Sequence, residues 1–564
     1  MCGIAGYKFF KKDQISFNKN INQTLNTLKN RGPDYQDYWS NSEGNCFLLN
    51  TRLKIQDLND RANMPMRSVC KNYIITYNGE LFNKKFLIKK YLTSVKLNTD
   101  SDTEVILQLY INYGFKLLDF LDGMYSIAIY NLIDHQLFLA RDPLGIKPLY
   151  YTTEDNFLFF SSSIKSFYFK KKINNDAIID YFSLGYIREP NTILDKVYSL
   201  EPGEFIIYKN SSIIKKKYFI LKDIFLKNTK DVSNEIENSV LKHYTSEVPS
   251  CLFLSSGTDS NIILSILKKN KINIPTISIS FEKDKKDQRI NDEHETIKNI
   301  CKELKVKNYH SLITKNLLYE YDNLFLKEMD QPTTDGLNSF IVSRIANDMK
   351  YKVAYSGLGG DELFCDYGTL NKIKKIKTLS GLIKKIGLQE ILKNNLKKIK
   401  FKNPKYNNIL DYSETSQIYF FIRSLFVKGE KINFQGKTIN IEELEEINLP
   451  FDNDYMNTTY LEYKIYLRNQ LLRDADWSSM SNSIEMRVPF VNKELISNSF
   501  QFKPSISRKE ILRKINLNVS KLVSKKKFGF YTPTFNHTSY HNPLKDRSLK
   551  VLNKYIEFNN LDFK

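Results

Sequence analysis

The chain changes its pattern of apolar residues near residue 225, and this change constrains the fold more than any other feature. Before it, short apolar segments alternate with turns, which is typical of a strand-rich domain. After it, helical patterns alternate with apolar strands, which is typical of a parallel sheet covered by helices. The sequence therefore predicts two domains of different class within 564 residues. The strands predicted in the first part are Cys46–Leu49, Tyr73–Tyr77, Tyr125–Tyr130, Gln136–Ala140 and Phe157–Phe160.

The composition is that of an ordinary globular protein, with 41% hydrophobic and 26% charged residues. No run approaches the ~18 apolar residues that a membrane-spanning helix needs, and Lys11 and Lys12 follow too soon for a signal peptide. The six cysteines are scattered and form no CxxC pair, so neither a disulfide framework nor a zinc site is expected. We therefore expect a cytoplasmic protein with no membrane partner.

The net charge of +21 raises the question of a nucleic-acid partner. Lysine supplies most of the positive charge, and a general drift in composition toward lysine and asparagine explains it. The densest basic run, from Lys372 to Lys402, has the pattern of a helix with solvated lysines. We expect no nucleic-acid partner. A basic nucleic-acid-binding scaffold is the alternative from another class, and its signature would be retention on nucleic acid that falls with salt.

A cysteine directly follows the first methionine. The small side chain of Cys2 favours removal of Met1, which would place a thiol and a free α-amine on one residue. An α-amine titrates at roughly 7.7–8.0 and a thiol at about 8.5, so the amine can act as the base for its own nucleophile. Cys2 is therefore a candidate nucleophile. The alternative is a chance cysteine at this position.

Other polar residues near the predicted strands suit the hydrolysis of an amide. Asn78 and Gly79 follow the strand Tyr73–Tyr77, and their N–H groups can donate to the oxyanion that a thiol forms on attack. Arg52 carries a planar fork suited to a carboxylate. Asp102 lies at a predicted helix N-terminus and can take an ammonium group. Singly, each has another explanation, since Asn-Gly is a common hairpin turn and Asp102 can simply cap a helix.

Together with Cys2, these residues resemble the class II glutamine amidotransferases, and the resemblance continues through Leu121–Met124 and Ala140–Tyr150. It implies the amino-terminal-nucleophile fold, in which two antiparallel sheets lie between helices (αββα). It also implies that Cys2 hydrolyses glutamine, with Asn78 and Gly79 in the catalytic set. By the same resemblance, glutamine is held by Arg52, Asn78, Gly79, Glu80 and Asp102.

In the second part, the predicted strand Cys251–Leu254 runs into a small-residue loop, Ser255–Ser260, and then a predicted helix, Asn261–Lys268. A loop of this kind aims backbone N–H groups at an anion. It is not a GxxxxGK[ST] loop, so ordinary γ-phosphoryl transfer is disfavoured. It resembles the pyrophosphate loop (SGGxDS) of enzymes that split ATP into AMP and pyrophosphate, with Ser256 in place of the first glycine. A plain turn is the alternative for this loop alone.

A second strand leads into a glycine-rich turn in the segment Val353–Phe364, which carries Asp361. Two strand-end loops that face one crevice follow the rule for ligands on open α/β sheets. Asp259 of the first loop and Asp361 are then placed to hold Mg²⁺, which usually takes one or two carboxylates plus phosphate oxygens. The sequence predicts an ATP and Mg²⁺ site here. A tRNA-modifying ATP pyrophosphatase could share the first loop, but it would normally lack the glutaminase half.

These motifs with Cys2 resemble the glutamine-dependent asparagine synthetases over nearly the whole chain. The resemblance also covers a stretch expected to be helical, Leu472–Asp476 and Met480–Phe490, in which we expect buried ion pairs. It implies a glutaminase domain at 2–165, final strands and a connector at 166–228, a parallel-sheet adenylating domain at 229–536 and a tail at 537–564. It makes Lys527 a catalytic cation near the acyl-adenylate. The implied ATP contacts are Leu254, Ser255, Gly257, Asp259, Ser260, Ile279, Ser356 and Gly357.

The implied reaction uses glutamine, a carboxylate and MgATP, with aspartate as the default acceptor and asparagine as product. Leu358 is the departure that bears on this choice, because the family usually carries glutamate there. A different acceptor, such as a sugar uronate in surface-polysaccharide assembly, is the alternative. A homodimer is one possible assembly, and the sequence does not decide the oligomeric state.

Overall fold

The computed structural model describes residues 2–9, 17–154, 157–224, 232–282, 293–365, 367–386, 404–499, 507–523 and 543–563. The strands of the first half are β1 Cys2–Phe9, β2 Tyr35–Ser40, β3 Cys46–Arg52, β4 Met66–Arg67, β5 Tyr73–Leu81, β6 Gly123–Asn131, β7 Gln136–Arg141, β8 Tyr150–Glu154, β9 Phe157–Ser161, β10 Tyr198–Ser199, β11 Glu204–Lys209 and β12 Ser212–Lys217. The later strands are β13 Ser250–Phe253, β14 Thr276–Phe281, β15 Asn308–Ile313, β16 Val353–Tyr355, β17 Lys431–Phe434, β18 Lys437–Asn440 and β19 Glu485–Arg487.

The helices are numerous and concentrated in the second half. The α-helices are Phe17–Leu28, Lys84–Tyr91, Asp102–Tyr113, Asn175–Leu184, Leu221–Ile224, Val232–His243, Thr258–Lys269, His294–Leu304, Lys315–Glu328, Leu337–Asp348, Gly360–Leu363, Thr369–Lys385, Thr415–Arg423, Asp454–Leu461, Arg473–Met480, Lys493–Ser499, Arg508–Ile515, Leu517–Leu522 and Pro543–Asn559. Short 3₁₀ turns are Lys29–Arg31, Asp60–Ala62, Gly114–Asp119, Ile164–Phe167 and Pro404–Asp411, and Glu462–Leu472 is a π-helix. Among the helices described, none is long and apolar enough to cross a membrane.

Two antiparallel sheets form the amino-terminal domain. The first sheet has the order β10-β8-β9-β1-β3-β2, and the second has the order β12-β11-β7-β6-β5-β4. Side chains that alternate toward the space between them, such as Ile4, Leu48, Ala128 and Leu139, form a fully buried core. The helix Phe17–Leu28 contacts the first sheet, and Asp102–Tyr113 contacts β5 of the second. This is the predicted αββα arrangement.

The third sheet is parallel, with the order β15-β14-β13-β16-β19, and helices join its strands. β13 and β16 are neighbours in register, with Leu252 opposite Tyr355. Their carboxyl ends therefore lie side by side at one edge of the sheet, and the two loops identified from the sequence follow these ends. The predicted class, a parallel-sheet α/β domain after a strand-rich domain, is confirmed.

The predicted strands of the first part are all present, and each is one to four residues longer in the structure than in the prediction. β5 continues through Asn78 and Gly79, because Gly79 pairs with Tyr125 and a Cβ there would lie 2.2 Å from the Met124 carbonyl oxygen. The turn interpretation of Asn-Gly is therefore wrong. The helix after the first loop begins at Thr258 rather than Asn261, since Gly257 is its N-cap.

The expectation of helix through residues 480–490 is also wrong. The helix Arg473–Met480 ends there, Ser483 turns the chain with φ of 55°, and β19 pairs in parallel with β16. The strand has only three residues, all buried, and is too short to show a periodic pattern. The expected buried ion pairs are present, because Asp476 contacts Arg31 at 2.8 Å and Lys147 at 3.1 Å across the domain interface.

The strands β10, β11 and β12 pair with strands of the first two sheets, so the amino-terminal sheets extend to Lys217. The division of the chain after residues 165, 228 and 536 stays a prediction, and residues 228 and 536 lie outside the described residues. The predicted helical run from Lys372 overlaps the helix Thr369–Lys385, and a hairpin, β17–β18, follows later in the chain.

Candidate active sites

Cys2 begins β1 in the middle of the first sheet, opposite Arg52 of β3. Its side chain is buried. The Cys2 nitrogen donates to Asn78 Oδ1 at 3.1 Å, and its carbonyl oxygen accepts from Arg31 Nε at 3.4 Å. β1 and Asn78 belong to different sheets, so this hydrogen bond joins the two layers at the candidate nucleophile.

Asn78 is fully buried and has a donor to offer. Its Oδ1 atom is taken by Cys2, while its Nδ2 atom has no hydrogen-bond partner among the residues that the structure describes. A buried amide N–H without a partner costs free energy, and such groups mark places where a ligand oxygen can accept. The side-chain amide of Asn78 therefore lies beside Cys2 in a position suited to an oxyanion.

Arg52 and Asp102 are both buried, and each already has partners within the protein. The Arg52 guanidinium donates to the carbonyl oxygens of Gln56, Asp57 and Asn59, and burial lowers its pKa. The Arg52 guanidinium, predicted from the sequence to bind a substrate carboxylate, therefore also holds the loop after β3 in place.

Asp102 is the first residue of its helix, at the predicted N-terminus, and Ser101 is the N-cap. Asp102 Oδ2 accepts from Leu81 N at 2.7 Å, and Oδ1 lies 3.4 Å from Lys84 Nζ. Burial raises the pKa of the Asp102 carboxyl.

Glu80 connects the amino-terminal domain to the second domain. Its carboxylate accepts from Gln56 Nε2 and from Thr245 Oγ1, and it lies 3.3 Å from Arg487 Nη2. Burial raises the pKa of Glu80 to about 8, and Arg487 is the largest opposing influence. The carbonyl of Arg487 accepts from Ser356 N at 2.9 Å. One residue of β19 therefore contacts both candidate sites.

The first loop of the second domain is compact and held by its own hydroxyls. Ser255 Oγ accepts from Gly257 N at 3.1 Å, and Asn261 Nδ2 donates to the Ser255 carbonyl at 3.0 Å. Ser256 N donates to Glu293 Oε2 at 2.9 Å, so this N–H already binds a carboxylate. A loop whose N–H groups contact an anionic side chain is chemically suited to phosphate oxygens.

Asp259 and Asp361, the two acidic residues predicted to hold Mg²⁺, both contact the guanidinium of Arg508. Arg508 Nη1 contacts Asp259 Oδ2 and lies 2.6 Å from Asp361 Oδ1. The glycines of the second loop permit this approach, because a Cβ on Gly360 would lie 2.5 Å from Asp259 Cγ. Two carboxylates that share one positively charged atom have the oxygen donors and the convergence that Mg²⁺ requires, so the residues present fit that ion.

Several of the other ATP contacts implied by the resemblance lie on or beside β13 and β14, which are neighbours in the parallel sheet. Leu254, directly after β13, and Ile279, inside β14, are buried, and Ser260 is buried near the start of the helix Thr258–Lys269. Leu358 packs against the apolar cluster of the second domain, and its N–H donates to Ser356 Oγ at 3.3 Å. Lys527 lies outside the described residues.

Sequence reasoning missed several residues of both sites: Gln56, Lys84, Thr245, Glu293, Arg487 and Arg508. Lys84 lies three residues after the end of β5, so its closeness in sequence to Asn78 is a signal that could have identified it. Glu293 and Arg508 reach their partners over 37 and 249 residues of sequence, and nothing local marks them.

Comparison with known proteins matches each of the two domains to a family model. A family model described as a glutamine amidotransferase domain matches residues 1–219, and one described as asparagine synthase matches residues 231–557. The chain belongs to the glutamine-hydrolysing asparagine synthetase family. The second match alone covers more than half of the chain.

Three curated relatives of this asparagine synthetase family match over most of their length. Asparagine synthetase [glutamine-hydrolyzing] 1 of Bacillus subtilis is 29% identical, over 94% of this chain and 87% of the relative. Putative asparagine synthetase [glutamine-hydrolyzing] 2 of Methanocaldococcus jannaschii is 30% identical, over 70% of this chain and 82% of the relative. Asparagine synthetase [glutamine-hydrolyzing] 3 of Bacillus subtilis is 27% identical, over 88% and 80%.

Proposed function

We propose that this protein makes an amide in three steps at two sites, with glutamine as nitrogen donor and aspartate as acceptor. The observation that carries the proposal is the hydrogen bond from the Cys2 nitrogen to Asn78 Oδ1, beside an Asn78 Nδ2 without a partner among the described residues. This is the arrangement that an amino-terminal thiol needs to attack an amide.

At the first site, removal of Met1 would turn the Cys2 nitrogen into an α-amine, which takes the thiol proton. The thiolate attacks the side-chain amide of glutamine, and Asn78 Nδ2 with the Gly79 N–H donates to the oxyanion. Asp102 and Glu80 offer carboxylates to the substrate's ammonium group, and Arg52 offers its guanidinium to the α-carboxylate. The proton held by the α-amine passes to the leaving nitrogen, so ammonia departs as the thioester forms. Hydrolysis of the thioester by water then releases glutamate and restores the thiol.

At the second site, the loop Ser255–Ser260 and the N-terminus of the helix Thr258–Lys269 bind the phosphates of ATP. Asp259 and Asp361 would hold Mg²⁺, which supplies positive charge against the departing pyrophosphate. We propose Leu254, Gly257, Ile279, Ser356 and Gly357 as further nucleotide contacts and Lys527 as a cation near the acyl-adenylate. Ammonia from the first site displaces AMP to give asparagine.

A second acceptor has one observation in its favour. Leu358 can neither accept a proton nor pair with an ammonium, and it packs against an apolar cluster instead. A larger and less charged acceptor, such as a sugar uronate, would suit an apolar contact at this position. Aspartate remains the first proposal, because the named relatives are asparagine synthetases or putative asparagine synthetases.

The test is ATP-dependent conversion of a panel of carboxylates that includes aspartate and uronic acids, with ammonium supplied to bypass the first site. We expect AMP, pyrophosphate and asparagine from aspartate. Turnover of another carboxylate without turnover of aspartate would overturn the acceptor but leave the amidotransferase chemistry intact. Release of ADP and phosphate would overturn the adenylation step itself.

A further inference from the structure

A series of three polar contacts joins four side chains, Glu80, Gln56, Lys84 and Asp102, at the amino-acid end of the candidate glutaminase site. Glu80 accepts from Gln56 Nε2, Gln56 Oε1 accepts from Lys84 Nζ, and Lys84 lies 3.4 Å from Asp102 Oδ1. Gln56 and Lys84 also line an open cavity of about 770 Å³ at this end of the domain. Gln56 and Lys84 therefore connect the cavity to the Glu80 and Asp102 carboxylates, which are proposed to hold glutamine.

Lys84 is the cation among these four side chains, and it is held where a substrate ammonium is expected. Its Nζ atom also donates to the Asp100 carbonyl oxygen at 2.7 Å. The side chain of Asp102 is 6% exposed, whereas that of Lys84 is 20% exposed. Lys84 is the first residue of the helix Lys84–Tyr91, so its flexible side chain can swing toward the cavity without moving the strand behind it.

We propose that Lys84 is a specificity-determining residue of the glutaminase site: its ammonium occupies the Asp102 oxygen that the α-ammonium of glutamine takes, so glutamine binds by exchanging one ammonium for another. This inference rests on the proposed role of Asp102 in binding glutamine. Lys84 thus competes with glutamine for Asp102. The Asp102 carboxylate contacts the Lys84 ammonium before glutamine binds and the glutamine ammonium afterwards.

The surrounding charges explain why such an exchange suits this site. A buried carboxylate needs a cation or hydrogen bonds to stay ionised. The charged and titratable groups that face Asp102 are Glu80 and Tyr77 on β5, Lys84 on the following helix and Arg487 on β19. Leu81 N supplies a hydrogen bond. Since Arg487 also pairs with Glu80 and Glu485, Lys84 is the cation nearest to Asp102 that can leave for solvent.

The first test compares Lys84→Met with the wild type in glutamine hydrolysis, with Lys89→Met as the matched control. Lys89 is an exposed lysine on the same helix. We expect Lys84→Met to lower the KM for glutamine about tenfold above neutral pH. The reason is that the Lys84 ammonium no longer competes with glutamine for Asp102, and this competition is expected to weaken glutamine binding about tenfold. The kcat should stay within about twofold, since the thiol and its donors are untouched, and Lys89→Met should match the wild type.

The pH profile supplies a readout that a merely structural role would not move. Asp102 must be ionised to hold an ammonium, burial raises its pKa, and Lys84 opposes that rise. Removal of Lys84 leaves the pKa higher, so the KM of Lys84→Met should begin to climb at a higher pH than that of the wild type as pH falls. The two KM profiles should therefore cross.

A second substrate tests the exchange directly. Glutaramate is glutamine without its α-ammonium group, so it cannot replace Lys84 on Asp102. We expect the preference for glutamine over glutaramate, measured as a ratio of kcat/KM, to rise about tenfold in Lys84→Met. A preference that is unchanged, or a KM for glutamine that rises at every pH, would overturn the proposal by showing that Lys84 does not compete.

Failure of the proposed function has a different signature. If Asp102→Asn leaves the preference for glutamine over glutaramate intact, Asp102 does not bind the ammonium, and the proposed substrate contact is wrong. If Asp102→Asn loses that preference while Lys84→Met behaves as the wild type, the substrate contact stands and the role of Lys84 is wrong.

Discussion

In the amino-terminal domain, Cys2 and Asn78 lie together because two facing sheets are packed through a common core, and their hydrogen bond joins the layers. In the second domain, Asp259 and Asp361 lie together because two loops approach each other where glycine leaves room. Strand pairing fixes the first site over many backbone hydrogen bonds. The second depends on loop conformation, so small changes in those loops should affect synthesis and spare glutamine hydrolysis.

The largest expected effect separates the two sites completely. Cys2→Ala should lower glutamine-dependent synthesis by about four orders of magnitude, because no other group can form the thioester. Synthesis from ammonium should survive, since the adenylating loops are untouched. The measurement is amide formation with each nitrogen source. A folded variant that has lost both activities would contradict the division into two sites.

Asp361→Asn should have the next largest effect, and this effect should fall on the ATP-dependent reaction of the second domain. An amide cannot neutralise a cation, so AMP and pyrophosphate formation should fall by about 100-fold or more. Glutamine hydrolysis should remain measurable. Arg508 keeps Asp259 as a partner, so the fold should persist, and the circular dichroism spectrum is the control. Equal loss of both activities would show that the loops support the glutaminase domain.

Gly360→Ala probes the close approach of the loops without removing any charge. A Cβ at this position would lie 2.6 Å from Asp259 Oδ1, so the carboxylate must move. We expect a fall of about tenfold in ATP-dependent activity, because a misplacement of about 1 Å can cost up to 100-fold. Glutamine hydrolysis should not change. An unaffected rate of AMP formation would mean that the Asp259 position is not critical.

The same contrast explains which parts of the molecule the sequence could predict. Cys2, Asn78 and Gly79 stand in short motifs on or next to strong strand patterns, and the structure brings these residues together. Asp259 and Asp361 were found because each follows an apolar strand. β19 was misassigned, because three residues carry no period and its pairing with β16 depends on the rest of the sheet.

The partners that complete each site could not be predicted for a different reason. Arg487 lies opposite Glu80 only because the two domains pack together, and the ion pair joins residues far apart in sequence. Arg508 reaches Asp259 and Asp361 from a helix whose sequence looks like any solvated basic turn. Contacts of this kind depend on tertiary packing, so a single sequence holds no local signal for them.

Leu358→Glu should have the smallest effect on rate and the largest bearing on the acceptor. Leu358 is partly exposed, so a glutamate there can keep contact with water and should lower the free energy of unfolding by no more than about 1 kcal/mol. If aspartate is the acceptor, the wild type already works without a carboxylate here. The variant should then form asparagine at an unchanged rate or up to about threefold faster, because the new carboxylate can pair with incoming ammonium.

A larger, less charged acceptor would give the opposite sign, since Leu358 would then pack against it and a glutamate would repel an acidic substrate. The measurement is AMP release from aspartate and from uronic acids by both proteins, with ammonium supplied. Leu358→Val, which keeps an apolar side chain, is the control and should leave aspartate turnover unchanged. Loss of aspartate turnover in Leu358→Glu but not in Leu358→Val would contradict a simple aspartate site, because only Leu358→Glu adds a charge at this position.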